Sequence, residues 1–100
     1  MKYLKDLKEI ININSYTKNK NGVDTVGEIM SRWLKELGFS ETTYEREIIG
    51  NHQLFTTQRK NNFKNILLLG HNDTVFPPNT FENYSEDNTW IYGPGVCDMK

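Results

Sequence analysis

The run Ile66-Leu67-Leu68-Leu69, closed by Gly70, constrains the fold more than any other stretch of this sequence. Consecutive apolar residues put side chains on both sides of an extended chain, so a strand built from them needs cover on both faces. That is the habit of a parallel strand with helices above and below it. The run therefore predicts an α/β fold: a mixed, mainly parallel sheet with flanking helices.

The neighbouring segments supply helices. Tyr3, Leu4, Leu7, Ile10 and Ile11 recur at three- and four-residue spacings, which predicts a first helix over residues 3–13 with one apolar stripe. Val23, Val26, Ile29, Met30, Trp33, Leu34 and Leu37 form a second stripe, and Gly38 stands where a helix stop is expected. Its Met and Trp residues read as packing surface. Residues 15–22 read as a polar loop. Beyond Phe39, extended stretches are predicted from Thr42 to Ile49 and from Gln53 to Gln58, with a turn at Gly50-Asn51. Arg59-Lys60-Asn61-Asn62 and the stretch from Pro77 to Asn88 read as loops, and Trp90-Ile91-Tyr92 as a brief strand before Gly93-Pro94-Gly95.

Charge and length exclude several roles. A net charge of -1, from 12 basic and 13 acidic residues, supplies no basic field for nucleic acid, so no nucleic-acid partner is expected. Lys2, Lys5, Asp6, Lys8 and Glu9 interrupt the N-terminal apolar residues, so no signal peptide is expected there. No stretch approaches the roughly 18 apolar residues of a membrane span, and no membrane partner is expected. Cys97 is the single cysteine and cannot close an intramolecular disulfide, which fits a reducing compartment; the expected location is cytoplasmic. Asn72-Asp73-Thr74 and Asn83-Tyr84-Ser85 match the glycosylation pattern, and without a secretory signal they read as chance matches.

The candidate chemistry follows the apolar run. His71 and Asp73 stand two apart at the exit of the predicted strand, where both side chains point to one side, at the end of a sheet where ligands bind. Imidazole nitrogen and carboxylate oxygen are both zinc donors, and a carboxylate can instead fix the tautomer of a ligating His from behind. The bland alternative is a solvated loop in which Asp73 or Asn72 caps a turn. Asp98 follows a Gly-Pro-Gly turn and reads either as a site carboxylate or as a helix N-cap. Cys97 reads as small filler and His52 as a surface residue. No Gly-x-Ser-x-Gly elbow, Walker loop or dinucleotide glycine pattern occurs.

Two blocks together, residues 66–77 (Ile-Leu-Leu-Leu-Gly-His-Asn-Asp-Thr-Val-Phe-Pro) and 90–100 (Trp-Ile-Tyr-Gly-Pro-Gly-Val-Cys-Asp-Met-Lys), resemble the aminoacylase, succinyl-diaminopimelate desuccinylase and glutamate carboxypeptidase family of dinuclear zinc hydrolases. Residues 15–39 resemble the glutamate carboxypeptidase branch less sharply. The resemblance implies that His71 ligates one metal, that Asp73 is a catalytic residue orienting His71, and that Asp98 bridges two zinc ions, with cobalt or manganese as alternatives. It also implies a cis peptide after Asp98. The family's Glu-Glu pair, further acidic ligand and late His lie downstream of residue 100. Residues 1–100 are thus expected to be an incomplete N-terminal portion of a metallopeptidase catalytic domain, without the dimerisation domain and inactive alone. The implied substrate is a peptide or N-acyl amino acid, and the implied full-length form a homodimer. A noncatalytic truncated remnant, or an interaction module on the same scaffold, is the competing expectation. Asn72 and Cys97 depart from the family's usual residues.

Overall fold

A computed structural model describes residues 3–58 and 64–100. In chain order these form α1 (Leu4–Ile11), α2 (Lys20–Glu36), β1 (Ser40–Tyr44), β2 (His52–Thr56), β3 (Ser85–Glu86) and β4 (Ile91–Tyr92). The predicted loop Arg59-Lys60-Asn61-Asn62 lies outside the described residues.

The helices follow their apolar stripes. Ile10, Val26 and Ile29 form the buried core, with Ile13, Met30 and Trp33 packed against it. Ile11 and Val23 are buried as well. Each such side chain stabilises the fold by roughly 1.5–3 kcal/mol. α2 begins at Lys20, inside the predicted polar loop, because the Asn19 side chain accepts from Gly22 N and caps the first turn. It ends at the expected place. Gly38 takes φ 92°, a left-handed conformation that suits glycine, while Gly38 N donates to Lys35 O and Phe39 N to Leu34 O. Those two bonds make a Schellman cap.

β1 and β2 pair antiparallel, from Ser40 opposite Thr56 to Tyr44 opposite His52. Glu41 pins this hairpin to α2. Its carboxylate meets Lys35 Nζ at 2.7 Å and Gln53 Nε2 at 2.9 Å, and it accepts from the Ser31 hydroxyl. Gln53 Nε2 also reaches Gly27 O at 3.1 Å, and a Cβ on Gly27 would stand 2.8 Å from Gln53 Oε1, so the hairpin sits directly on the helix backbone.

The sheet differs from expectation. The coarse α/β class holds, but among the described residues both sheets are two-stranded and antiparallel, β1-β2 and β3-β4, not mixed and mainly parallel. Residues 66–69 form no strand and are 80–91% exposed. The reason is physical: a parallel strand needs a neighbouring strand and cover on both faces, and no described element stands beside this run. β3 lies within the loop predicted from Pro77 to Asn88, since two residues carry no periodic signal, and β4 is the last two residues of the predicted Trp90-Ile91-Tyr92 strand. No helix among the described residues is long and apolar enough to cross a membrane.

Two stability measurements test this packing. Hydrogen bonds from Lys35 and Ser31 hold the Glu41 carboxyl at about 2 against its ordinary 4.5, outweighing the opposing effect of burial, with Gln53 and Thr43 adding to the shift. A lowered folded-state pKa contributes stability that is complete above its ordinary value and lost as pH falls through about 4.5 to about 2. The melting temperature, followed by circular dichroism, should fall across that window, and fall less in Glu41→Gln. Ser15 is 1% exposed and its hydroxyl oxygen has no hydrogen-bond partner among the described residues. Removing an unsatisfied buried hydroxyl should raise unfolding stability, so Ser15→Ala is expected to gain about 1 kcal/mol in urea denaturation.

Candidate metal centre

The centre is assembled where the loop after α1, the 70–74 segment and the 93–100 turn meet. Thr74 N donates to Ser15 O at 2.8 Å and Thr17 N to Thr74 O at 2.9 Å, which makes a parallel bridge between Tyr16 and Thr74. Thr74 is buried, so this crossing is shielded from water. It fixes the backbone from which Asp73 and His71 project.

Asp73 is held from both sides. The Thr17 hydroxyl lies 2.6 Å from Asp73 Oδ2 and 3.1 Å from Thr74 O, and its single proton goes to the closer, charged acceptor. Asp73 Oδ1 lies 3.1 Å from His71 Nδ1, as does the Asp73 carbonyl. With a carboxylate and a carbonyl both facing Nδ1, that nitrogen carries a proton, and in the neutral ring the lone pair is on Nε2. Nε2 in turn faces Asp98 Oδ1 at 3.5 Å. The three side chains are partly open to solvent: 47% for His71, 31% for Asp73 and 66% for Asp98.

Asp98 comes from the opposite end of the chain on a tight turn. Val96 N donates to Gly93 O, and both Asp98 N and Lys100 N donate to Gly95 O at 3.0 Å. Gly95 takes φ 85°, where a side chain would be strained. Gly93 allows the turn to lie against α1, since a Cβ there would stand 2.5 Å from Ile11 Cγ2. Asn72 points away from the centre, its Nδ2 donating to Gln53 Oε1 at 3.3 Å, and so ties the 70–74 segment to β2.

The structure thus brings His71, Asp73 and Asp98 together. Two donors of one tetrahedral zinc ion, at bond lengths of about 2.0–2.2 Å, stand about 3.4 Å apart. The separation of 3.5 Å between Nε2 and Oδ1 fits that edge. Among the described residues no group of three or more His, Cys, Asp and Glu side chains is placed to hold a metal. The donor set therefore fits one side of a metal site, with His71 and Asp98 as the residues that would hold the ion.

Other expectations divide. His52 lies on the exposed side of β2 with its Nδ1 3.3 Å from Arg46 Nη2, as a surface residue should. Cys97 is exposed, not buried filler, because the turn aims it at solvent along the rim of a cleft. The cis bond after Asp98 is not formed: no cis peptide occurs among the described residues. Such a bond costs about 3 kcal/mol and persists only where packing over-determines it, which an exposed turn does not. Thr17 went unnoticed in the sequence because its partner stands 56 residues away and Ser15-Tyr16-Thr17 carries no local pattern. Beside Asp98 opens an apolar cleft of about 500 Å³ walled by Phe76, Phe81, Trp90, Tyr92 and Val96.

The chain is 28% identical over 101 residues to carboxypeptidase G2 of Pseudomonas sp. (strain RS-16), a match taking in 97% of this chain and 24% of that protein. It is 34% identical over 88 residues to acetylornithine deacetylase of Vibrio atlanticus (strain LGP32), taking in 80% of this chain and 22% of that protein. The chain therefore spans about a quarter of the length of the curated relatives it matches. No family model and no solved structure matches it. These distant, partial relatives support, at most, the metallopeptidase family that the motifs resemble.

Long-range ¹H–¹⁵N correlation at about pH 8 should find His71 protonated on Nδ1. Asp73→Asn should move the tautomer toward a mixture, and Thr17→Val should do so partially, by loosening the carboxylate that directs it.

Proposed function

We propose that this chain is the N-terminal portion of a longer metal-dependent hydrolase, a carboxypeptidase or deacylase, in which His71 and Asp98 hold zinc and Asp73 orients His71. One observation carries this reading. His71 Nε2 faces Asp98 Oδ1 at 3.5 Å, the spacing of two ligands on one tetrahedral zinc ion. The separation suits zinc, and the carboxylate behind the imidazole is the usual support for a ligating His.

The chain's own residues divide the work. Asp73 keeps the proton on Nδ1 and fixes the orientation of the ring, while Thr17 keeps Asp73 in place. Asp98 presents Oδ1 to His71, and its second oxygen is free to hold a neighbouring ion, the task of a bridging carboxylate. Bound zinc would supply an activated water and a polarised carbonyl for amide hydrolysis. The substrate class, a peptide or N-acyl amino acid, is supported by one relative being named a carboxypeptidase and another a deacetylase. The apolar cleft next to Asp98 has the volume of a small-molecule site. Exposure of 80–91% along residues 66–69 is what an interior parallel strand shows without its neighbours, and it supports the reading of an incomplete catalytic domain.

Zinc titration followed by ¹⁵N NMR should perturb His71 Nε2 with a dissociation constant in roughly the millimolar range, because a strong site needs more than two protein ligands. His71→Ala and Asp98→Ala should each abolish the response. An unperturbed His71 at saturating zinc would remove the proposal. The chain by itself should hydrolyse N-acyl amino acids no faster than zinc alone, since it supplies an incomplete donor set.

A further inference from the structure

Lys100 reaches across the molecule to the far end of α1. Its Nζ donates to Ile10 O at 2.9 Å and to Ile13 O at 3.2 Å, bonds that span 90 and 87 residues of sequence. Ile10 O belongs to the last turn of α1, where carbonyls lack partners within the helix, and the negative end of the helix dipole favours a cation. The same residue closes the turn that carries Asp98: Lys100 N donates to Gly95 O, the acceptor that also takes Asp98 N. Its side chain lies against Gly95, where a Cβ would stand 3.1 Å from Lys100 Cγ. Backbone closure at Gly95 and side-chain anchoring at α1 are therefore joined in one residue, two positions beyond Asp98.

We infer that Lys100 is the positioning residue of Asp98: by anchoring the 95–100 turn to the carbonyl end of α1, it fixes the Asp98 carboxylate opposite His71. The other arm of the centre is held to the same region, since Thr17, in the loop that follows α1, holds Asp73. α1 and its following loop therefore set the distance between the two arms. Among the described residues the Asp98 carboxylate meets His71 alone and is 66% exposed, so its direction depends on its backbone. The helix-end carbonyls accept from an ammonium in a site sheltered enough that burial lowers Lys100 to about 8. The inference rests on the reading of Asp98 as a metal donor, and a metal-independent measurement keeps the two separate.

The test compares the full 100-residue chain with Lys100→Met, which keeps the aliphatic stem without the charge, and Lys100→Arg, which can still donate to both carbonyls. Three NMR readouts are taken: amide exchange at Asp98 and Lys100, the nuclear Overhauser contact between the His71 ring and Asp98 Hβ, and the His71 response to zinc chloride. Lys100→Met should speed exchange at both turn amides by about tenfold, lose the ring contact and weaken zinc binding by about tenfold. Lys100→Arg should recover all three to within about threefold, and amides of Val26 and Ile29 should stay as protected as in the parent chain. Retention of the ring contact and turn protection in Lys100→Met overturns the inference. So does equal loss of protection at Val26 and Ile29, which would make Lys100 a general staple of the fold. If the parent chain fails to respond to zinc, the hydrolase reading falls, and the exchange and contact data alone decide the role of Lys100.

Discussion

The structure depends on a short parallel crossing, in which Thr74 bonds through its backbone to Ser15 and Thr17. It is a small interaction, two hydrogen bonds at a buried residue, each worth about 1 kcal/mol net. Its importance lies in what it joins. One side carries the loop that α1 and α2 hold between them, and the other carries Asp73 and His71. Beside the crossing, the 64–74 segment is tied to the rest of the fold by the side-chain bonds from Thr17 to Asp73 and from Asn72 to Gln53.

From that crossing the polar relay runs outward in one direction: Thr17 to Asp73, Asp73 to His71, His71 to Asp98. Each member limits the next. A hydroxyl proton fixes which carboxylate oxygen is free, that oxygen fixes the imidazole tautomer, and the tautomer decides that Nε2 is a donor of electrons rather than of a proton. The outermost gap, 3.5 Å between His71 Nε2 and Asp98 Oδ1, has the spacing of two donors around one ion. The relay is open to solvent, so its precision comes from the backbone on either side, and both backbones are tied to the C-terminal end of α1 and the loop beyond it.

The contrast between the two halves of the molecule has a common cause. α1, α2 and the β1-β2 hairpin bury their apolar faces on one another, and Glu41 joins hairpin to helix through Lys35, Ser31 and Gln53. Residues 66–69 have no such counterpart among the described elements, form no strand and remain exposed. A periodic helix carries its own hydrogen bonds and needs a partner for one stripe. A doubly apolar strand needs partners at both edges and both faces.

Local pattern was therefore enough for some features. The two apolar stripes and Gly38 gave α1, α2 and the stop of α2, and the Gly50-Asn51 region gave the hairpin connection, because each depends on neighbours within a few residues. The motif residues His71, Asp73 and Asp98 were legible as candidates through their residue types and resemblance. What the chain alone could not state was that residues 66–69 have no partner strand among the described residues, the trans geometry after Asp98, or the parts played by Thr17 and Lys100. The roles of Thr17 and Lys100 depend on groups 56 and 90 residues distant, whose approach is set by how helices and loops pack and leaves no trace in local spacing. Sequence determined which side chains can donate to a cation; tertiary structure decided which of them face each other, because distance between donors is a property of the folded backbone.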